Sequence, residues 1–465
     1  MERSNLLPSD AGDKSVHDDA INTDDRISKL SNDLLLKIIS RLSIKEAITT
    51  GSLSSRWEHV WKKMSHLFLD MRGFSKIGSL LTNVTDHHAA RSMTKVINDH
   101  RGHLERCTIY YYPFQCTNAM VEAWIRSLIH VKHVKHLTLV NFIFSLRPPK
   151  KPITLDLPSE TFSHPNLQTL ILGRFNFETP HAFNNCGNLK TLTLAGIFAQ
   201  IGVLNVVLVS CPSLEVLVAN VHSHKGSGLL KIDNRNLRFL YLSCYQVDGI
   251  HVSSPNLDVL IIESLSCEIE NFIIVNPRFQ FHRNYRATGR FYPHTSYIIP
   301  CPHQEKKSIG HEFMMSGSRH FVKNSEAMSV SVDLTNTKEV EMLQEILVSW
   351  PGKMEELEIL SKKSNAPRKE VESSSRRTQK TFWEEIKPFP DAYFSVSILW
   401  LSNFSGSKEE FALASRLITQ GTVIKTMIIK PHSSFSTSNK LEIEEAVAKL
   451  NDLPKGHTEL DIVMV

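Results

Sequence analysis

"NLQTLIL" at 166–172 returns as "NLKTLTL" at 188–194, "SLEVLVA" at 213–219, "NLRFLYL" at 236–242 and "NLDVLII" at 256–262. The copies start 22, 25, 23 and 20 residues apart. Each closes on apolar residues two apart, the period of a strand with one face buried. A unit this short cannot bury its own apolar edge, so successive units must stack strand beside strand. Weaker copies extend the series: "HLERCTI" (103–109), "HVKHLTL" (133–139), "KMEELEI" (353–359) and "VIKTMII" (423–429). The leucines belong to the core. The residues between them fall on the other face: Thr169 and Ile171, Thr191 and Thr193, Val216 and Val218, Phe239 and Tyr241, Val259 and Ile261. That stripe is almost uncharged, and an exposed apolar stripe marks an interaction surface. Its candidate binding residues are Ile171, Thr193, Val218, Phe239, Tyr241 and Ile261. The other reading is that β-branched residues serve strand propensity, or that the C-terminal region covers the stripe.

Composition narrows the class. The chain has 465 residues, 41% hydrophobic and 22% charged, with a net charge of +5. That is globular, and too mild a charge to suggest a nucleic-acid binder. The N-terminal 25 residues carry seven Asp/Glu against two Lys/Arg and no apolar core, so they do not read as a secretory signal. Apolar runs such as "IGVLNVVLV" (201–209) are too short to span a bilayer. The seven cysteines include no CxxC pair, which points to free thiols in a reducing compartment, nucleus and/or cytoplasm. No phosphate-cradling glycine loop, zinc-helix motif or nucleophile elbow is present. His130, His133 and His136 run from a helix end into a strand and share no single periodicity, and Cys301, His303 and His311 lack a fourth ligand. No metal, cofactor or catalytic group is expected.

Residues 1–23 read as a disordered acidic tail. From Asp24 the pattern becomes helical. Leu34, Leu35, Ile38, Ile39 and Leu42 make one broad apolar face, with Ser31 as N-cap and Asp33 in the first turn. A short second helix, "IKEAITTG", is expected to end on a left-handed Gly51. A third is expected from Ser54, with Trp57, Val60, Trp61 and Met64 on one face and Arg56, Glu58, Lys62 and Lys63 off it. Three helices of this size supply little core, so the segment packs on the rest of the chain or docks on a partner.

The segment resembles an F-box. The matching residues are Asp25, Arg26, Ile27, Ser28 and Leu30, then "DLLLKIISRL", then Lys45 to Ala47, then Leu53, Ser54, Arg56, Trp57 and Trp61. Two positions depart from the family: Leu30-Ser31 and Leu42-Ser43 stand where Leu-Pro is usual. The resemblance implies docking on a Skp-type adaptor, and through it a cullin, by a face drawn from Leu30, Leu34, Leu35, Ile38, Leu42, Ala47, Leu53, Trp57 and Trp61. The repeat intervals resemble leucine-rich repeats. Residues 398–430, with "LPKGHTELDIVMV" closing the chain, resemble the FBD module of plant F-box/leucine-rich-repeat proteins.

The expected architecture is α/β: a three-helix F-box (24–70), then a curved, mostly parallel leucine-rich-repeat solenoid with helices and loops outside (71–360, clearest over 133–265). A flexible basic linker (361–380, seven Lys/Arg and two Glu) and an FBD-like unit (381–465) follow. The implied role is the non-catalytic substrate receptor of an SCF-type ubiquitin ligase, binding an unknown target protein through the repeats. The alternative is an interaction scaffold outside any ligase. No membrane partner is expected, and no nucleic acid.

Overall fold

The computed structural model describes residues 29–74, 87–142, 153–223, 228–267, 271–275, 295–298, 327–349, 353–362, 394–431 and 437–465. The acidic tail, nearly all of the basic linker, and Cys301, His303 and His311 lie outside these residues. The chain divides into two compact units, one ending at Met64 and one beginning at Ser65.

The first unit opens with α1 (Asn32–Ile39). Ser31 caps it by accepting the Leu34 N–H at 3.4 Å, and Asp33 sits in the first turn. Helix α2 (Ile44–Thr49) starts in a reciprocal capping box: the Ser43 hydroxyl accepts the Glu46 N–H, and Glu46 Oε2 accepts the Ser43 N–H at 2.9 Å. The Ser43 hydroxyl also donates to Glu46 Oε2 at 2.8 Å, and that bond, then the one from the Ser43 N–H, holds the Glu46 carboxyl below its usual value. Two expectations fail here. Gly51 does not close α2 in a left-handed conformation; the chain runs on into a 3₁₀ turn, Thr50–Ser52. Its reason is proximity, since a Cβ at Gly51 would lie 3.3 Å from the Glu58 Cα. Nor is 54–64 one α-helix. It is wound as 3₁₀ turns at Trp57–His59 and Trp61–Lys63, with i→i+3 bonds from Val60 to Trp57 and from Met64 to Trp61. Threefold winding eclipses residues three apart, so Trp57 with Val60 and Trp61 with Met64 still face one way, and all four are buried.

The second unit is built on β1 (His66–Asp70), α3 (Met71–Phe74), α4 (His88–Asp99), β2 (Arg106–Tyr111), α5 (Asn118–Arg126), β3 (His136–Asn141), β4 (Ile153–Thr154), β5 (Thr169–Gly173), β6 (Phe175–Phe177), β7 (Thr191–Ala199), α6 (Ile201–Val209) and β8 (Val216–Ser223). It continues with β9 (Leu229–Asp233), β10 (Phe239–Tyr245), β11 (Gly249–Ser253), β12 (Val259–Leu265), β13 (Phe272–Val275), β14 (Thr295–Ile298), β15 (Ala327–Val332), α7 (Thr337–Ser349) and β16 (Lys353–Ser361). The last elements are β17 (Ser395–Phe404), α8 (Lys408–Thr419), β18 (Val423–Pro431), α9 (Thr437–Asn451) and β19 (Asp461–Met464). One sheet runs β1-β2-β3-β5-β7-β8-β10-β12-β14-β15-β16-β17-β18-β19, parallel except that β14 is antiparallel to β12. Strand β1 pairs with β2 from His66 to Asp70, so the last residues of the expected F-box segment form the first strand of the sheet.

The repeat leucines explain the register. Leu67, Cys107, Leu137, Leu170, Leu192, Leu217, Leu240 and Leu260 pair in turn across the strands, and all are buried. Each leucine that opens a repeat motif donates its N–H to the carbonyl three residues back: Leu167 to His164, Leu189 to Cys186, Leu214 to Cys211, Leu237 to Asn234 and Leu257 to Ser254. One turn, repeated, thus aims every strand the same way. Trp124 of α5 packs edge-on against Tyr111 on the leucine face and donates its indole N–H to Thr94 at 2.7 Å. Further on, β9, β11 and β13 form a second parallel sheet. Asn205 of α6 satisfies the edge of β9, donating to the Leu229 carbonyl at 3.0 Å and accepting the Lys231 N–H at 2.8 Å.

The opposite face corrects the expected stripe. Ile171, Thr193 and Val218 are half-buried, but Phe239, Tyr241 and Ile261 are buried. Together with Val259 they join a core containing Met328 and Val330 of β15, Leu343 of α7, Leu357 of β16, Leu417 of α8, Met427 of β18 and Ile443 of α9. The register from Ile261 passes through Ser296 to Met328, Leu357, Leu399, Met427 and Ile462, so this core lies on the face opposite the leucines. The C-terminal helices cover there what the N-terminal repeats leave open. Helix α8 carries the expected amphipathic pattern, burying Leu413, Ala414, Leu417 and Ile418 after the Ser405-Gly406 turn, with Phe411 packed alongside. Its N-terminus is a second capping box, Ser407 with Glu410.

Candidate docking surfaces

In the first unit the nine candidate residues separate cleanly. Leu35, Ala47, Trp57 and Trp61 are buried within the chain, and Leu30 and Leu42 are half-buried. Leu34, Ile38 and Leu53 are 46%, 43% and 68% exposed. Leu34 and Ile38 are four apart on one face of α1, while Leu35 and Ile39 pack inward. Ile48 is also exposed; sequence periodicity alone gave no signal for it, because α2 is too short to show a face. Arg56 ties the turn region back to α1: its guanidinium donates to the Leu30 carbonyl and to Asn32 Oδ1, the latter at 3.0 and 3.2 Å.

In the second unit, among the described residues, the face opposite the leucines is half-buried to exposed over most of β1–β7. At one register level His66, Arg106 and His136 stand side by side, followed by Thr169 and Thr191. Two residues along each strand come Phe68, Thr108, Thr138, Ile171 and Thr193, and two further Asp70, Tyr110, Val140, Gly173 and Ala195. Phe68 is 52% exposed, and its ring meets Tyr110 edge-on at 5.4 Å. Tyr110 meets Phe142 at 5.2 Å, and Arg72 lies over Phe142 while its guanidinium binds both oxygens of Asp70. Farther along, Phe198, His222 and Tyr245 stack with centroids 4.9 and 4.5 Å apart. Burial lowers the His222 pKa. Burial, then Arg106, lowers that of His136.

A histidine cluster lies near α5. His133 Nδ1 is 3.0 Å from His164 Nε2, and His130 sits edge-on to His164. His164 Nδ1 accepts the Asn166 N–H at 3.2 Å, so its proton resides on Nε2 and is donated to His133. A metal on Nε2 would move that proton to Nδ1, against the Asn166 N–H. The pair is therefore a hydrogen bond and not a chelate, and His136 points elsewhere. Among the described residues no group of three or more His, Cys, Asp or Glu is arranged to hold a metal. Burial pushes the Cys107 and Cys244 thiols up, and that of Cys116 to about 12, so these are not activated nucleophiles. No described helix is long and apolar enough to cross a membrane.

Comparison with known proteins matches the helical unit and the repeats that follow it. The F-box domain model matches residues 27–69. A model described as the LRR repeats of the FBD-associated F-box protein At5g56370 matches 121–275. The chain is similar to two Arabidopsis thaliana proteins along most of its length. One is F-box protein At1g80960, 44% identical, covering 92% of this chain and 88% of the relative. The other is F-box protein At3g60790, 41% identical, covering 94% and 89%. F-box/FBD/LRR-repeat protein At1g13570 from the same plant is 28% identical over about half of each chain.

Proposed function

The chain belongs to the F-box protein family, with FBD-associated leucine-rich repeats, and from that premise we propose that it is the substrate receptor of an SCF-type ubiquitin ligase. The first unit docks on a Skp-type adaptor and through it on a cullin. The repeats, read as a solenoid, hold a target protein. The work is proximity and orientation, holding the target near the conjugating enzyme, with no chemistry on this chain. The observation that carries the reading is the set of apolar side chains a small helical unit leaves in water: Leu34, Ile38, Ile48 and Leu53. Leu34 and Ile38 lead the docking face. Trp57 and Trp61 support it from within. The nucleus and/or cytoplasm is the compartment where such a receptor works.

The test is co-purification of a Skp-type adaptor with the full chain. A Leu34→Glu, Ile38→Glu double variant should lose the adaptor at least 10-fold while keeping its helical circular dichroism. Undiminished capture would sink the assigned face. No capture by the unaltered chain would favour a scaffold acting outside a ligase.

A further inference from the structure

The open part of the repeat sheet is short, and its chemistry is uneven. From Phe239 onward the face is inside the C-terminal core. Over β5 and β7 it offers Thr169, Ile171, Thr191 and Thr193, which carry no charge. A permanent charge beside an aromatic cluster is found on β1–β3 and the residues that follow β1 and β3, whereas the Phe198, His222 and Tyr245 stack farther along carries no such cation among the described residues. There Arg106 is exposed between two imidazoles, and its guanidinium has no acid partner among the described residues. Glu105 stands at the margin, 4.0 Å from His66. Asp70, the acid at the other end of the strand, is already engaged by Arg72. Beyond the threonines the surface turns aromatic, with Phe68, Tyr110 and Phe142 in a continuous ring cluster.

We propose that this face of β1–β3 takes an acidic peptide segment of the target, with a carboxylate on Arg106 between His66 and His136 and a bulky apolar or aromatic side chain against Phe68, Tyr110 and Phe142. The proposal rests on the receptor reading above and names the ligand class for it. Arg106 lies two residues from the Phe68 level and four from Tyr110, about 7 and 13 Å along a strand. An extended segment therefore carries its acid and its ring two to four residues apart. A carboxylate fits better than a phosphate: Arg106 is the cation carried on this face at that level, and with Glu105 beside it that is too little for a dianion. Among the described residues the same scarcity of cations argues against a nucleic-acid backbone.

Random dodecamers displayed on phage, selected on the full-length chain, test this directly. Enriched sequences should carry Asp or Glu two to four residues from Phe, Tyr, Trp, Leu or Ile. A synthetic peptide of that pattern should bind at least 10-fold more weakly to Phe68→Ala and to Arg106→Ala. Arg106→Glu should reverse the preference toward the same peptide with Lys in place of its acid. Val209→Ala, on the exposed side of α6, should bind as the unaltered chain does. Neutral or basic consensus sequences, no enrichment, or binding indifferent to Arg106→Glu in a variant with an unchanged melting profile would overturn the proposal. Adaptor capture run on the same preparations separates the two readings. Its loss in the unaltered chain strikes the ligase role and leaves the peptide preference standing; its retention in Arg106→Glu shows that only the sheet was altered.

Discussion

Single side chains in this protein differ sharply in consequence from their neighbours in sequence. Leu35 is fully buried and Leu34 is largely exposed, although they are adjacent in one helix. Truncating Leu35 to Ala should cost about 2–5 kcal/mol by loss of transfer energy and creation of a cavity. Leu34→Ala should stay within about 0.5 kcal/mol, as exposed substitutions do. Urea titration of the two variants, followed by helical circular dichroism, checks the contrast. Gly173 is a second such point. A Cβ there would sit 2.8 Å from Val140 Cγ1 and 3.0 Å from its Cγ2. Gly173→Ala should lower stability by about 1–3 kcal/mol through overpacking. Adding Val140→Ala should recover part of that loss, a coupling that a denaturation cycle measures. Period and spacing place Leu34 and Leu35 on one apolar face because a helical stripe about 100° wide holds both inward and outward members. Which is which depends on what packs against the inner side of α1, and that is a tertiary fact.

Among the elements, caps and turns explain where the chain departs from its family pattern. Ser31 and Ser43 stand where proline is usual, and both hold φ at −62°, the value proline would impose. Their hydroxyls cap instead. The consequences of restoring proline differ. Ser43 donates its N–H to Glu46, a bond proline cannot make, so Ser43→Pro should cost about 1 kcal/mol or more. Ser31→Pro gives up only the long 3.4 Å cap bond and should be milder. Thermal melting of both variants ranks them. The His164 turn gives a pH dependence. Burial, then His133 and His130, holds the His164 pKa below its ordinary 6.5. The unfolded chain therefore binds the proton more readily. The stability this turn contributes is complete above pH 6.5 and declines as the pH falls through 6.5 toward the folded value. The His164 Nδ1 lone pair faces the Asn166 N–H, so a proton can enter there only by breaking that bond. Hydrogen exchange across 160–168, corrected for intrinsic rates, should accelerate between pH 7 and pH 5. His164→Asn should remove the effect and keep the turn, because Asn234 makes the same bond, accepting the Asn236 N–H at 2.9 Å. The histidine series was visible in the sequence. Its partner 31 residues away was not, since only the stacking of repeats brings the His164 turn beside His133.

On the scale of the whole molecule, the sheet is one continuous ladder whose cover changes sides. The leucine motif made the strands, their order and their parallel register legible, because each copy repeats the same turn and the same alternation. It could not reveal the change of cover. Ile171 and Ile261 occupy the same place in identical patterns. What buries Ile261 is a set of helices and strands from β15 to β19, with the antiparallel β14 between, supplied by residues far along the chain. Position in the repeat is therefore a poor guide to tolerance, and cover is the better one. Ile171→Asn leaves its amide at a half-buried, open site and should cost about 1 kcal/mol or less. Ile261→Asn places an amide with no designed partner inside a packed core and removes apolar volume, and should cost about 3–5 kcal/mol. Because two units and several core regions need not unfold together, a single melting temperature is a weak test. Hydrogen exchange resolved along the chain is a stronger one. Ile261→Asn should release protection in β10, β12 and β15–β18 together while leaving β2, β3 and β5 protected. Ile171→Asn should alter exchange only in β5 and its immediate neighbours. Uniform loss of protection in both variants would mean that the two faces share one cooperative core, and the change of cover would then have no energetic meaning.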